Sequence, residues 1–406
     1  MTIPTKEAKM TPFLIEPRDP LIARDGRPSA LGRFESLDFP LPSTIAGATR
    51  TRMAAAEGAF DLGQEDTARL LGLAVHGPLL ARLAGEGVAN FFAPAPRDAV
   101  VIQSQDGARR YRLAPRALPP GCSCDAEGKL ESLTFAAGGW QRTLNEKATM
   151  AAPAFWSWAT FEDWLTNPKD EGDFAGHHEG LGHLPREARA HLAIEPGERI
   201  GKEGALFATE GLRFLSSFGD RGKLDPLRLG LYCRAEEDAA GEKIGKPLAL
   251  REELAPIGGE RRLARWRPQA EPWPELPRVI RENVTKTRRA RLILLTPAIF
   301  AAGALPGWND AGFPGQPAVR VRVKAAALPR AQVVSGWDLR EQKPKPTRRL
   351  VAAGSVYFVE LDGDEADIGA WCESVWLRPV SDHEQDRRDG FGLAALGIWP
   401  KAEEKE

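Results

Sequence analysis

With 406 residues, 42% apolar and 27% charged, the chain has the composition of a soluble globular protein and room for two domains. Its net charge of −1 excludes a protein that coats nucleic acid indiscriminately, and the start MTIPTKEAKMTPF lacks the apolar stretch of a secretory signal. The most apolar run, Leu292 to Leu305, is too short to span a bilayer and carries Pro297, so a cytoplasmic location and no membrane contact are expected.

In chain order, Phe13-Leu14-Ile15 reads as a short buried strand. Asp25-Gly26 is a strong two-residue turn signal, because both central residues of a type I′ turn need positive φ. It would hold Arg24 and Arg27 near one hairpin tip. Pro40 and Pro42 then punctuate the chain before Ser43, an N-cap for a helix reaching about Ala56. At 100° per residue Ile45, Ala48, Thr49 and Met53 line one side, while Gly47, Arg50, Thr51 and Ala54 fall on the other. Free N–H groups at residues 44–46, the bare Gly47 and Arg50 one turn on would favour a phosphate. An ordinary capped helix after a proline-rich loop fits the same spacing.

Residues 64–85 carry a helical pattern of leucines broken near Gly77-Pro78, and FFAPAPRDAV reads as strand and turn. Residues 105–130 are loop-rich and hold Cys122 and Cys124, whose C-x-C spacing matches neither common zinc pairing; reduced thiols are expected. Trp156, Trp158 and Trp164 should pack a local helix into the body. Residues 58–187 are read as a long insertion in a first domain of residues 1–270, with a second domain over 271–406.

Strands are expected at about 190–195, 205–215 and 227–235. Gly258-Gly259 then precedes arginines 261, 262, 265 and 267. An extended segment puts Arg261, Arg265 and Arg267 on one face, with Arg262 and Trp266 on the other. Paired glycines let one backbone approach another while charge lies beside it; a plain exposed edge strand fits equally. PQAEPWPELP is a linker, followed by a basic helical segment and the strand RLILLTP. VRVKAAA, AQVVSGWDL and RRLVAAGSVYFVEL add strands, KPKPT separates the last two, and KAEEKE forms a tail. Both halves thus read as strand, helical segment, then several strands, which suits antiparallel sheets with helices on one face.

Charge is unevenly spread. Residues 257–291 hold ten Arg/Lys against four Glu, and residues 360–389 hold ten Asp/Glu against three Arg. The first run suits a nucleic-acid face and the second a protein partner or solvent; two solvated faces of opposite sign are the plain alternative.

The ordered series EPRDPLIARDGRP, PSTIAGATRTR, EGALFATE, IGGERRLA, LLTPAIF, GWDLREQKPKPTRRLVAAGSVYFVE and DGFGLAALGIW resembles the RAMP superfamily, in particular the family of third subunits of the Cmr complex, the type III-B CRISPR effector. The resemblance runs from residue 13 to 399 and covers the insertion only weakly. It implies an α+β chain of two ferredoxin-like (RRM-like) domains with antiparallel sheets. It also implies a non-catalytic subunit that grips the 5′ tag of the CRISPR RNA beside the large polymerase-like subunit and the backbone RAMP subunit, meeting target RNA indirectly. Carried over by position, the RNA-binding candidates are Arg24 and Arg27; Ser43, Thr44, Gly47 and Arg50; Gly258, Gly259, Arg261 and Arg262; and Trp337, Lys343, Lys345, Arg348 and Arg349. Two positions depart from the family pattern: Leu41 interrupts a run of prolines, and Leu396 stands where proline is expected.

Some RAMP relatives cleave RNA, and such a nuclease needs a general acid/base, usually His, near the first helix. No histidine precedes His76, which reads as a packed or capping residue. His177, His178 and His183 lie in a glycine-rich loop without the i, i+4 pair of a helical metal site. No Walker A pattern or dinucleotide fingerprint is present. No catalytic residue, metal or cofactor is expected; an RNA-processing enzyme and a purely structural adaptor are the alternatives.

Overall fold

The computed structural model describes residues 10–24, 33–34, 36–55, 64–104, 107–117, 121, 130–138, 152–167, 169–174, 180–195, 197, 200–218, 225–236, 250–270, 273–338 and 343–400. It is an α+β architecture, rich in strands and poor in helices, with antiparallel sheets. The strand Met10–Pro17 buries Phe13, Leu14 and Ile15 completely or nearly so. It lies between Asp225–Glu236 and Arg262–Pro268, antiparallel to both, with Phe13 opposite Cys233 and Ile15 opposite Trp266. The sheet runs Gly180–Leu181, Phe155–Ser157, Gly87–Pro94, Val75–Ala84, Asp225–Glu236, Met10–Pro17, Arg262–Pro268, Glu253–Ile257, and Leu215–Phe218 pairs with Asp225–Glu236 off this path.

A second sheet is built from Ala311–Phe313, Gln316–Ala327, Val356–Asp362, Arg289–Leu294, Leu393–Ile398 and Arg378–Pro379, in that order. Its inner strands Val356–Asp362, Arg289–Leu294 and Leu393–Ile398 are buried along most of their length: Leu393–Ile398 is buried at every position, and Leu396 sits opposite Leu292. A strand buried on both faces has no use for alternation, and it rejects proline at an inner ladder position. That explains leucine at 396.

Among the described residues six helices accompany the sheets: α1 Pro42–Ala55, α2 Gln64–Gly72, α3 Trp158–Thr166, α4 Arg278–Thr287, α5 Glu365–Val375 and α6 Glu384–Arg388. α1 packs on Val75–Ala84 and Glu253–Ile257, and α4 packs on α5. α3 buries Trp158, Phe161, Trp164 and Leu165, as its tryptophan spacing predicts. It touches Gly87–Pro94 of the first sheet and Leu393–Ile398 of the second.

That bridge is fixed by a buried polar network. Arg291 and Asp98 are both fully buried and paired at 2.5 Å; Arg291 also donates to the carbonyls of Trp164 and Ile398 at 2.6 and 2.8 Å. The Trp164 indole donates to Asp98 at 3.0 Å. Arg112 lies over the Trp164 ring, 3.5 Å from its centroid, and donates to the carbonyls of Trp164, Asn167 and Lys169. Burial, reinforced by Arg291, pulls the Arg112 pKa well below its ordinary value, and Asp98 opposes the shift. Arg291, one of the charges in the basic run, is therefore a core residue and offers nothing to a ligand.

Four expectations need correction. Residues 64–85 are not one broken helix: α2 ends at Gly72, and Val75–Ala84 is an inner strand bearing His76. The leucines of that stretch are buried because the strand is covered on both faces, a pattern that periodicity alone does not separate from a helix. Nor is all of 58–187 an insertion, since Val75–Ala84, Gly87–Pro94 and Phe155–Ser157 belong to the main sheet. What stands apart is the small sheet of Ala99–Ser104, Gly107–Arg116, Ser132–Phe135 and Glu171–Asp173. Arg262–Pro268 is not an edge strand, because Glu253–Ile257 covers it. The linker is anchored by Trp273, which is buried against Tyr232 and lies under Arg234.

Candidate nucleic-acid interface

The first candidate element is α1. It starts at Pro42, two residues earlier than the Ser43 cap predicts, with Leu41 in the capping position: the Thr44 and Ile45 amides donate to the Leu41 carbonyl at 3.0 and 3.4 Å. Proline suits the first helical position, having no N–H to leave unpaired. Two of the three amides expected to be free, those of Thr44 and Ile45, are thus engaged. Ser43 and Thr44 are half-buried; Gly47 is exposed, with open space where a Cβ would lie.

Arg50 is the larger correction. It is 5% exposed and sits in the middle of the buried face, with Ile45, Ala46, Thr49, Met53 and Ala54. Its guanidinium donates to the Leu73 carbonyl at 3.1 and 2.8 Å, to the Arg388 carbonyl at 3.1 Å and to Asp389 at 2.6 Å. The helix is rotated from the face hydropathy picks out, because a fully paired arginine behaves as a core residue. Arg50 joins the two halves and is not available to a phosphate.

The glycine pair does what close approach requires. Gly258 and Gly259 turn the chain between Glu253–Ile257 and Arg262–Pro268, and the Gly259 amide donates to the Ile22 carbonyl at 2.8 Å. Gly258 has φ +67, and a Cβ there would stand 2.7 Å from that same carbonyl, so a side chain is excluded on two counts. The crossing brings Arg24 within 3.4 Å of Glu260, which also holds Arg262 at 2.7 Å. Arg261 is exposed, with φ 51, and makes no ion pair among the described residues. The predicted facing holds for the strand that follows, but Arg265 and Arg267 are neutralised by Glu16, Glu86 and Glu252. Arg27 and the Asp25-Gly26 turn lie outside the described residues.

The late basic loop is a long β-hairpin. Gln332–Val334 pairs with Arg348–Leu350, and Trp337–Asp338 pairs with Lys343–Pro344. Lys343, Lys345 and Arg349 are exposed; Arg348 is turned inward, paired with Asp386 at 2.6 Å and lying over the Phe391 ring. The Trp337 side chain lies outside the described residues. Val334 and Leu350, at the hairpin base, pack with Ile299, Phe391 and Leu41. Leu41, which departs from the family's prolines, therefore has a packing role.

These separate elements are joined by residues 21–24. Ile22 meets Gly259, while the Ala23 carbonyl accepts from the Leu37 amide at 2.7 Å, and Leu37 packs against the hairpin base. Residues 21–24 thus link the glycine turn, with Arg261 and Arg262, through Leu37 to the residues at the start of α1 and at the base of the hairpin. Asp386 and Asp389, which seat Arg348 and Arg50, were not read from sequence; the only signal was the local acidic excess. Part of the 360–389 run is accordingly internal wiring and not an outward acidic face.

His76 is buried in its strand, and burial, with Arg234 and Arg378 nearby, pushes its pKa down to about 3. His177 and His178 lie outside the described residues, and no group of metal ligands occurs among the described ones. No helix among them is long and apolar enough to cross a membrane.

Residues 13–399 match the family described as CRISPR-associated protein (Cas_Cmr3). The chain belongs to this family. No curated protein matches it. Among solved structures it is similar to a chain of the type III-B Cmr-beta complex bound to cognate target RNA and AMPPnP, with 14% identity, a TM-score of 0.46 and 86% of each chain covered. A chain of the same type of complex bound to cognate target RNA gives 15% identity, a TM-score of 0.44 and again 86% of each chain. A chain of the Csm3-Csm4 subcomplex of the type III-A CRISPR-Cas interference complex gives 10% identity and a TM-score of 0.31, over 87% of this chain and 94% of that one.

Proposed function

We propose that this member of the Cas_Cmr3 family is a non-catalytic RNA-binding subunit of a type III-B Cmr effector. In this reading it holds the 5′ tag of the CRISPR RNA and bridges the large polymerase-like subunit to the backbone subunits. The observation that carries the reading is a pair of elements linked through residues 21–24: a hairpin showing Lys343, Lys345 and Arg349, and a glycine turn showing Arg261. Exposed cations on a seated hairpin and on a glycine turn suit phosphate contacts. Arg50 and Arg348 act behind these elements, holding them in place.

Two ferredoxin-like domains are part of the proposal. In the first sheet Arg262–Pro268, Met10–Pro17, Asp225–Glu236 and Val75–Ala84 stand in the order expected of such a fold, with α1 after the first strand. In the second, Leu393–Ile398, Arg289–Leu294, Val356–Asp362 and Gln316–Ala327 stand in that order, with α5 after the third strand. Each sheet has one of the two crossover helices among the described residues.

The test is to purify the chain with its partner subunits, sequence the RNA that accompanies it, and crosslink that RNA to the protein. Crosslinks from the RNA 5′ end to residues 258–262 and 343–349 are expected. Crosslinks confined to other surfaces, or metal-dependent RNA cleavage by the chain alone, would overturn the reading.

A further inference from the structure

A second basic surface lies at the other end of the C-terminal sheet. α4 ends at Thr287, and Arg288 caps it in the left-handed conformation with φ 57. Arg289 opens the next strand, opposite Glu360; across Glu360 on its other side stands Arg322, and Arg320 stands opposite Asp362. These six residues form most of the lining of an open cleft of about 340 Å³. Four guanidiniums against two carboxylates leave the cleft positive, and Asp310 on its rim does not cancel the excess.

The arginines are held in place without being saturated. Arg289 donates through Nε and one terminal nitrogen to Glu360, at 3.2 and 2.9 Å, and lies over the Trp399 ring, 5.3 Å from its centroid. Arg322 donates to the Asp310 carboxylate at 3.3 Å, and Arg320 to the Asp310 carbonyl at 3.1 Å. A guanidinium has five N–H groups, so each keeps donors for a further anion. Arg288 makes no ion pair among the described residues. The side chains of Arg289, Arg320 and Arg322 are all more than half exposed.

We infer that this cleft binds phosphate groups of a single RNA strand, as a contact separate from the hairpin surface. The choice of RNA rests on the function proposed above; the phosphate chemistry rests on the fixed arginine forks, which match phosphate oxygens in a way a point charge does not. Arg289 and the loop after Leu294 are at opposite ends of one strand, about 20 Å apart at 3.3 Å per residue. The hairpin base packs at that far end, through Ile299. One bound phosphate therefore does not satisfy both surfaces.

The test uses the full chain, a single-stranded RNA oligonucleotide and a salt titration. In the variant Arg320→Ala/Arg322→Ala, affinity should fall about tenfold and the slope of log K against log salt should flatten by about two. Unchanged affinity and slope in a variant that melts normally would overturn the inference. If the double variant does not fold, crosslinking of RNA to the unmodified protein decides: adducts within 287–291 or 316–324 support the cleft, and their absence rejects it. Loss of poly-glutamate binding with RNA binding intact would make the cleft a protein-docking site and reject the inference. The hairpin variant Lys345→Ala/Arg349→Ala separates the two readings: if it leaves RNA binding untouched while the cleft variant weakens it, the function proposed for the hairpin fails and the cleft stands.

Discussion

Arg50 and Asp389, 339 positions apart in the chain, pair at 2.6 Å and tie α1 to the turn after α6. The same guanidinium reaches the carbonyls of Leu73 and Arg388, so one side chain joins three segments. Close by, Gly390 packs so tightly that a Cβ would stand 2.7 Å from the Val75 carbonyl. The two halves of the chain are therefore assembled as one piece around this contact.

Arg50→Ala should thus destabilise the fold by about 3 kcal/mol, the lower end for breaking a buried pair, because Asp389 keeps some contact with water. Arg50→Lys should recover little, since an ammonium cannot reproduce the fork that spans the Leu73 carbonyl and Asp389. Arg52, half-buried on the same helix, is the comparison: Arg52→Ala should cost less. Denaturant unfolding measures all three, and equal stability of Arg50→Ala and the parent would remove Arg50 from this role.

In the Asp98 network two buried guanidiniums share one carboxylate, with Arg291 at 2.5 Å and Arg112 at 3.9 Å. Asp98→Asn removes the only negative charge of the three and should cost on the order of 3–5 kcal/mol. Arg112→Met removes one of two like charges and leaves Asp98 its closer partner Arg291, so although it gives up three carbonyl acceptors and the contact with the Trp164 ring it should cost less. The order of the two unfolding free energies is the check; the reverse order would mean that Arg112, through Trp164, contributes more than the carboxylate does.

His76 makes stability depend on pH. Its pKa falls from 6.5 to about 3 on folding, chiefly through burial. Between those values the unfolded chain binds a proton that the folded chain refuses. The stabilisation is therefore complete above pH 6.5 and is lost as pH falls toward 3, at about 1.4 kcal/mol per pH unit. His76→Gln should flatten the acid limb of the stability profile in that window. An unchanged limb would mean that other groups dominate it.

What could be read from sequence divides along a physical line. The Gly258-Gly259 turn was legible because part of its requirement is local, the positive φ of Gly258; the neighbour that excludes a Cβ, Ile22, is far away in the chain. The tryptophans of α3 were legible because large apolar side chains have one destination. The orientation of α1 was not, because Arg50 is buried by partners at 73, 388 and 389 that no window around the helix contains. The strand Val75–Ala84 was misread for a related reason: burial on both faces erases the alternation that marks a strand. Of the candidate site, local composition located the hairpin and the turn. It did not separate Arg348, which seats the hairpin, from Arg349, which faces out.

That separation gives the last prediction. Arg348 pairs with Asp386 and lies over Phe391, whereas Lys345 and Arg349 are exposed on the same hairpin. A cation that contacts phosphate releases counterions on binding, so its removal weakens RNA affinity and lowers the salt slope together. Lys345→Ala and Arg349→Ala should each flatten the slope by about one and leave the melting temperature in place. Arg348→Ala should do the opposite, lowering the melting temperature while the slope at matched folded fraction holds. The measurement is a salt titration of RNA binding by the assembled complex alongside a thermal melt of each variant. A lower slope for Arg348→Ala, with unchanged slopes for the other two, would place the RNA on the inner side of the hairpin, against Phe391, and not on its exposed face.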